Sequence, residues 1–259
     1  MTPEQPPVLE NELARIAQAE AQGLLAYAQA QASFGPLIAI FSGAELPVNV
    51  ATLAPGSTAT AEDLRVTAEF FESQGVKASV QTFSDVTTET LAALAGAGFT
   101  LTQILHVYLH PLTALPDLPA IAVQEATSDV WTEVACRAFG PGSEAIMRVN
   151  AALPGITRVV AWLDGAPAGM GLMGTELGVA MLFSGATLPQ QRGRGVQSAL
   201  LAARLQLAAQ QGADFASVNV TPGSGSERNV RRAGFVQCGA RLRFEQLKPG
   251  IRPVSAATP

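Results

Sequence analysis

The chain has 259 residues, of which 48% are hydrophobic and 14% charged, with a net charge of −5. That balance excludes intrinsic disorder and gives no general attraction for nucleic acid or an anionic membrane. No apolar run approaches the roughly 20 residues of a membrane span, and Cys136 and Cys238 have no Cys or His beside them. They read as two buried free thiols in a reducing cytoplasm, with no metal site and no disulfide framework expected.

In chain order, residues 1–8 read as a flexible tail; they are polar and carry no secretory signal. A helix is predicted over 61–74, closed by Gly75, then a strand over 76–83, a short helix over 86–95 and a strand over 99–109. The proline-dotted stretch 111–119 is the natural joint. After it come a strand at 121–125 and helices at 128–139 and 144–152. Strands at 157–163 and 168–173 flank Asp164-Gly165, a pair suited to a type I′ hairpin turn. A strand over 179–188 is followed by a helix over 196–211, with Val196, Leu200, Ala203 and Leu207 on one face. A strand at 215–220, a short helix at 225–233 and a last strand at 235–247 complete the pattern, and 249–259 reads as a second tail.

The chain repeats itself. Ala51-Thr52-Leu53 returns as Ala186-Thr187-Leu188, Gln74-Gly75 as Gln211-Gly212, Ala78-Ser79-Val80 as Ala216-Ser217-Val218, and Ala97-Gly98-Phe99 as Ala233-Gly234-Phe235. Order and spacing are nearly the same in both copies. The fold class is therefore α/β with a mixed (α+β) sheet, in two tandem domains at 9–112 and 113–248. Aligning Phe34-Gly35-Pro36 with Phe139-Gly140-Pro141 makes the first domain shorter by about a helix and a hairpin.

Chemistry concentrates at Arg192-Gly193-Arg194-Gly195, between the end of a strand and the start of a helix. The first helical turn has free N–H groups and the positive end of the helix dipole, glycines allow close approach, and arginines pair with phosphate. The segment suits a diphosphate. It is neither a Walker loop nor the dinucleotide fingerprint. A merely solvated turn stays open on the loop alone, and the order of flanking elements argues against it.

Arg192-Gly193-Arg194-Gly195-Val196-Gln197 resembles the coenzyme motif Arg/Gln-x-x-Gly-x-Gly/Ala of the GCN5-related N-acetyltransferase (GNAT) superfamily, with Gln197 in place of a small residue. The run from Ser224 to Phe235, ending Arg232-Ala233-Gly234-Phe235, resembles its second marker. The resemblance implies two GNAT-like acyl-CoA acyltransferase domains and an acetyl-CoA-dependent N-acetyltransferase acting on an amine of a small molecule or peptide. Acetyl-CoA would be the cosubstrate, its pyrophosphate on residues 192–197 and its pantetheine arm pairing with the backbone of Gly185, Ala186 and Thr187. Ser226 and Asn229 would touch it. The family's acidic Tyr falls at Val230, and the strand at 215–220 lacks the family's Glu. A catalytically inactive acetyl-CoA-binding module, regulatory or structural, is the alternative, and a plain interaction scaffold a second.

Glu176 is the candidate base, against a solvated turn carboxylate; Glu144 reads as a helix-start acid and Trp131 as core or pocket wall. His106, Tyr108 and His110 share one strand face, read as the wet side of an edge strand. The first copy has Glu62 and Asp63 where the second has arginines. That half is expected to bind no coenzyme and to serve as an internal partner, or to wall the acceptor site. The chain would be a monomer with an internal pseudo-dimer, or a homodimer.

Overall fold

The β-prone runs all join one sheet. The computed structural model describes residues 8–246; the expected tails lie outside that range except for Val8, which opens the first helix. The first half runs α1 (Val8–Leu25), β1 (Ala30–Phe34), β2 (Leu37–Phe41), β3 (Val50–Leu53), α2 (Ala61–Ser73), β4 (Ser79–Phe83), α3 (Thr88–Gly96) and β5 (Phe99–His110). The second begins with β6 (Ala122–Glu125), α4 (Ser128–Phe139), α5 (Glu144–Ala152), β7 (Thr157–Leu163) and β8 (Ala166–Glu176). It ends with β9 (Val179–Thr187), α6 (Val196–Gln210), β10 (Phe215–Val220), α7 (Gly225–Arg232) and β11 (Val236–Gln246). No described helix is long and apolar enough to cross a membrane.

The eleven strands lie in the order β1-β2-β3-β4-β11-β5-β10-β9-β8-β7-β6. Among the described strands only β3 with β4 and β9 with β10 are parallel, and both pairs are short. Beyond Ser217↔Met181 the strands β9 and β10 part, leaving a wedge in the sheet. In the middle the halves exchange strands. β5 pairs with β11 and β10, both from the second half; β11 pairs with β5 and β4, both from the first.

Alternation along β5 shows how the layers pack. Val107 and Leu109 join Leu13, Ile16 and Ala17 of α1, while Tyr108 joins Leu201, Leu205 and Val230 of α6 and α7 on the other face. Helix α6 is buried more widely than one stripe: Val196, Leu200 and Leu205 are covered, as are Leu201, Ala202 and Arg204. The predicted face included Ala203 and Leu207, which are only partly covered.

Three sequence expectations change. The first copy keeps its hairpin: Gly35 (φ 53°) turns β1 into β2 just as Asp164 and Gly165 turn β7 into β8. Gly140, by contrast, caps the C-terminus of α4, so the aligned Phe-Gly-Pro tripeptides do different work. Glycine at positive φ serves hairpins and helix ends equally. What the first copy lacks is a counterpart of β6 and one helix.

Second, β5 is central, not an edge, so His106, Tyr108 and His110 do not face water as an edge would. Tyr108 and His110 are buried. Tyr108 Oη donates to Glu227 Oε1 at 2.9 Å, and His106 Nδ1 lies 2.6 Å from the same oxygen. The backbone N–H of Gly223 donates to Oε2 at 2.7 Å. The His106 contact first, then the Gly223 and Tyr108 bonds, hold the Glu227 carboxyl down at about 2. A carboxyl depressed by folding stabilises the native state above its unfolded value, roughly 4.3, and loses that contribution as pH falls through 2. Urea midpoints between pH 5 and pH 2 should therefore fall less steeply in Glu227→Gln than in the parent; equal slopes would remove Glu227 from the acid response.

Third, Cys238 is buried, with its thiol pushed up to about 12 by burial, but Cys136 is only half-buried. Both are free.

Candidate functional site

The two copies treat the same helix terminus differently. In the first half Thr60 caps α2, accepting from Asp63 N, while the Asp63 carboxylate accepts from the Thr60 N–H. Thr58 and Thr87 hydroxyls meet at 3.2 Å and Ala59 N donates to Thr90 Oγ1, tying the starts of α2 and α3 together. That terminus is satisfied from within. In the second half Gly195 stands at the N-cap of α6 in the left-handed region (φ 82°), and no side chain caps the helix. Its first-turn N–H groups are left for an outside acceptor.

A cavity of about 750 Å³ opens there. It is lined by Gly185, Ala186 and Thr187 of β9, by Arg192, Gly193, Gly195, Val196 and Gln197, and by Ser226 and Asn229 of α7. Arg228 and Arg232 complete a ring of three arginines with no carboxylate among the lining residues. Thr187 Oγ1 is buried and has no hydrogen-bond partner. In a chain of net charge −5, three arginines and no carboxylate around one cavity favour an anion there.

Arg194 is the exception among the expected cofactor residues. Its guanidinium pairs with Asp164 at 2.7 Å and with Gln191 at 2.7 Å, and it does not line the cavity. It fastens the loop to the β7–β8 turn. Ser226 does not cap α7, as the N-cap is Ser224, so its side chain is free of that duty.

A second cavity, of about 240 Å³, adjoins the first along β9. It takes residues 181–183 of that strand where the first takes 185–187, so only Ser184 separates them. The β8–β9 register jumps between Met170↔Ala186 and Leu172↔Phe183, and Ser184 sits in that bulge at φ 45°. Bulges re-aim a strand's groups beside a site. Two anchors hold this one. Arg204, buried in α6, donates to Leu172 O and Phe183 O at 3.1 and 3.4 Å, with Gly171 and Gly185 leaving room for it. Burial lowers its pKa to about 10, so it stays charged at neutral pH. On the other side Tyr27 Oη donates to Asn150 Oδ1 at 2.8 Å, and Asn150 Nδ2 donates to Ser184 Oγ at 3.1 Å.

No family model matches the sequence, and no curated protein matches it. Solved structures do. A GCN5-related N-acetyltransferase from Kribbella flavida is similar with a TM-score of 0.75 at 22% identity, over 92% of this chain and 96% of that one. The fold is that of the GCN5-related N-acetyltransferases. A tandem GNAT protein from the clavulanic acid biosynthesis pathway matches at TM-score 0.59 and 14% identity, over 93% of this chain and 95% of that one. Another GCN5-related N-acetyltransferase, from Sphaerobacter thermophilus, matches at 0.58 and 16%, over 83% and 78%.

On this GNAT fold the remaining expectations fall as follows. Val230 is buried in the core beside Tyr108. Trp131 is fully buried, its Nε1 donating to Gly171 O, and does not line either cavity. Glu144 is exposed and accepts from Gly142 N at the start of α5. Glu176, the last residue of β8, lines the second cavity. Among the described residues there is no cluster of His, Cys, Asp and Glu able to hold a metal.

Glu20, Tyr27, Asn219 and Arg241 also line the second cavity. Glu20 is not among the expected site residues because α1 is not among the predicted helices; Tyr27 follows that helix, and Asn219 and Arg241 stand on predicted strands with no local mark of a site. A signal was present: Leu13, Ile16, Ala17, Glu20 and Leu24 recur at three- and four-residue steps, which puts an acid on a helix's apolar face.

Proposed function

We propose that the chain is an acetyl-CoA-dependent N-acetyltransferase with one coenzyme site, formed by the second half. The observation that carries this reading is the three-arginine, carboxylate-free cavity at the uncapped start of α6, beside the wedge between β9 and β10. The donor set fits the group: N–H donors of the first turn of α6 and Arg192, Arg228 and Arg232 for a diphosphate, and a buried, unpartnered Thr187 hydroxyl along the arm.

When bound, the coenzyme supplies a thioester whose C–S bond breaks as the acceptor nitrogen forms a C–N bond, the nitrogen's proton ending on the sulfur. The chain's residues do the rest. Gly185, Ala186 and Thr187 offer backbone along which an extended arm can pair. The Tyr27–Asn150 pair and Arg204 hold the bulge at Ser184, where the two cavities meet. The Ser184 hydroxyl accepts from Asn150, and Ser184 itself lines neither cavity, so its part is to hold the bulge. Glu176, which lines the second cavity with Glu20, is the carboxylate assigned to accept a proton through water.

The division into 9–112 and 113–248 enters this proposal as two parts of one machine, the first half serving as partner and wall. A second reading, a binding module without catalysis, draws on Val230 standing in the core where the family places its acid. Calorimetry with acetyl-CoA should give one equivalent per chain. Two equivalents would put a coenzyme in the first half, and none would end the proposal. Thiol release over a panel of amines then separates enzyme from module.

A further inference from the structure

The second cavity is built jointly by the two halves. Helix α1 and the turn after it contribute Glu20, Gly23, Leu24 and Tyr27; the wedge contributes Met181, Phe183 and Asn219. We infer that this cavity takes the acyl acceptor, and that the acceptor is a small, singly charged primary amine on an apolar body. The inference rests on the coenzyme reading above for the word acyl, and on the cavity itself for the amine.

Size comes first. About 240 Å³ falls below the roughly 300–1,000 Å³ usual for drug-sized ligands. The space holds a group the size of a small molecule. The walls are mainly apolar, with Leu24, Leu153, Ile156, Met181 and Phe183 facing the space.

The polar edge is rich in acceptors. Glu20 takes Asn219 Nδ2 on Oε1 at 2.5 Å and Arg241 on Oε2 at 3.0 Å, with Gln81 Nε2 at 3.3 Å from the latter. A carboxylate has about four lone-pair sites, so one remains. Asn219 Oδ1 is buried with no partner. Tyr27 spends its proton on Asn150 and keeps its oxygen lone pairs; burial pushes its pKa up to about 12, so it stays neutral. The cation at this edge, Arg241, has its charge paired with Glu20 through Nη1 at 3.0 Å. A ligand that donates and does not accept is what this edge lacks, and an alkylammonium has three donors and no acceptor. Glu20 and Glu176 against Arg241 leave one net negative charge, matched by one positive charge.

Gly23 gives a way to fill the space. It stands in the last turn of α1, facing the cavity. A Cβ there would meet Met181 Cε at 3.4 Å, inside the cavity. A Cβ fits there in ordinary contact, and a longer side chain would extend into the space.

The test is calorimetric titration of the full chain with 2-phenylethylamine, 3-phenylpropionate and spermidine, each with and without coenzyme A, followed by thiol release from acetyl-CoA. The amine should bind, the carboxylate should not, and spermidine should bind more weakly. Glu20→Gln should weaken the amine roughly tenfold or more and leave coenzyme A unaffected. Because that change also disturbs Arg241, Gly23→Leu is the second variant: it raises helix propensity, fills the cavity and should abolish amine binding at an unchanged or higher Tm. Tighter binding of the carboxylate or of spermidine, or an unchanged amine affinity in Gly23→Leu, overturns the inference. Thiol release with spermidine but not with 2-phenylethylamine would also sink it while leaving the transferase reading intact. Failure of coenzyme binding alone would sink that reading, and the amine titration would still report on the cavity.

Discussion

Expressed separately, residues 8–112 and 113–246 should each fail to fold, and the two together should recover a folded, coenzyme-binding complex. In the first fragment β5 would have no neighbour, since both of its partners, β11 and β10, are in the other piece. In the second, β11 would lose both β4 and β5. Each fragment would then expose side chains buried in the whole chain: Tyr108 in one, with Val107 and Leu109 keeping only their α1 side covered, and Phe215, Cys238 and Phe244 in the other. Exposing a large apolar side chain costs about 1.5–3 kcal/mol, and several together approach the 5–15 kcal/mol or so that holds a domain folded. Circular dichroism and urea titration of each fragment, alone and co-expressed, check this. A cooperatively unfolding 113–246 fragment would show that the exchange is dispensable.

Arg192→Glu should weaken acetyl-CoA binding far more than Arg194→Glu. Arg192 lines the anion cavity, while Arg194 is spent on Asp164 and Gln191. Losing one charge-assisted hydrogen bond costs about 1.5–3 kcal/mol, or roughly 10- to 150-fold in affinity, and reversing the charge adds repulsion. Arg194→Glu faces Asp164 with a like charge and loosens the loop, an indirect and smaller effect, because Arg194 and Asp164 are both largely exposed. Equal losses in the two variants would mean that Arg194 turns inward when the coenzyme binds. No loss in Arg192→Glu would refute the site.

The sequence carried the repeat and the coenzyme side of the site. Short motifs with positive-φ glycines, such as Gly193 and Gly195, and regular apolar periods are local signals, and local signals survive without a structure. Helices α4 and α5 and strands β7 and β10 lie at their predicted bounds for the same reason. What failed was non-local. Nothing near β5 says that its neighbours come from the far end of the chain, so His106, Tyr108 and His110 looked like an edge. The acceptor-side residues failed likewise: Glu20 and Asn219 stand 199 residues apart and meet only because α1 crosses onto the second half's face of the sheet. Arg204 reads as an ordinary surface residue of a helix until Gly171 and Gly185 are seen to make room for its guanidinium.

The strand exchange also sets an order in time. Residues 236–246, the last of the described strands to leave the ribosome, belong in the middle of the sheet, between two strands made long before. Once β5 has been synthesised it must wait for β10 and β11, on the order of ten seconds at usual elongation rates. Through that interval Val107 and Leu109 have α1 to rest against and no strand to pair with. A nascent chain in that state has an open, apolar β-edge, so the demand for chaperone protection is greatest before the final strand arrives and ends when it slots in.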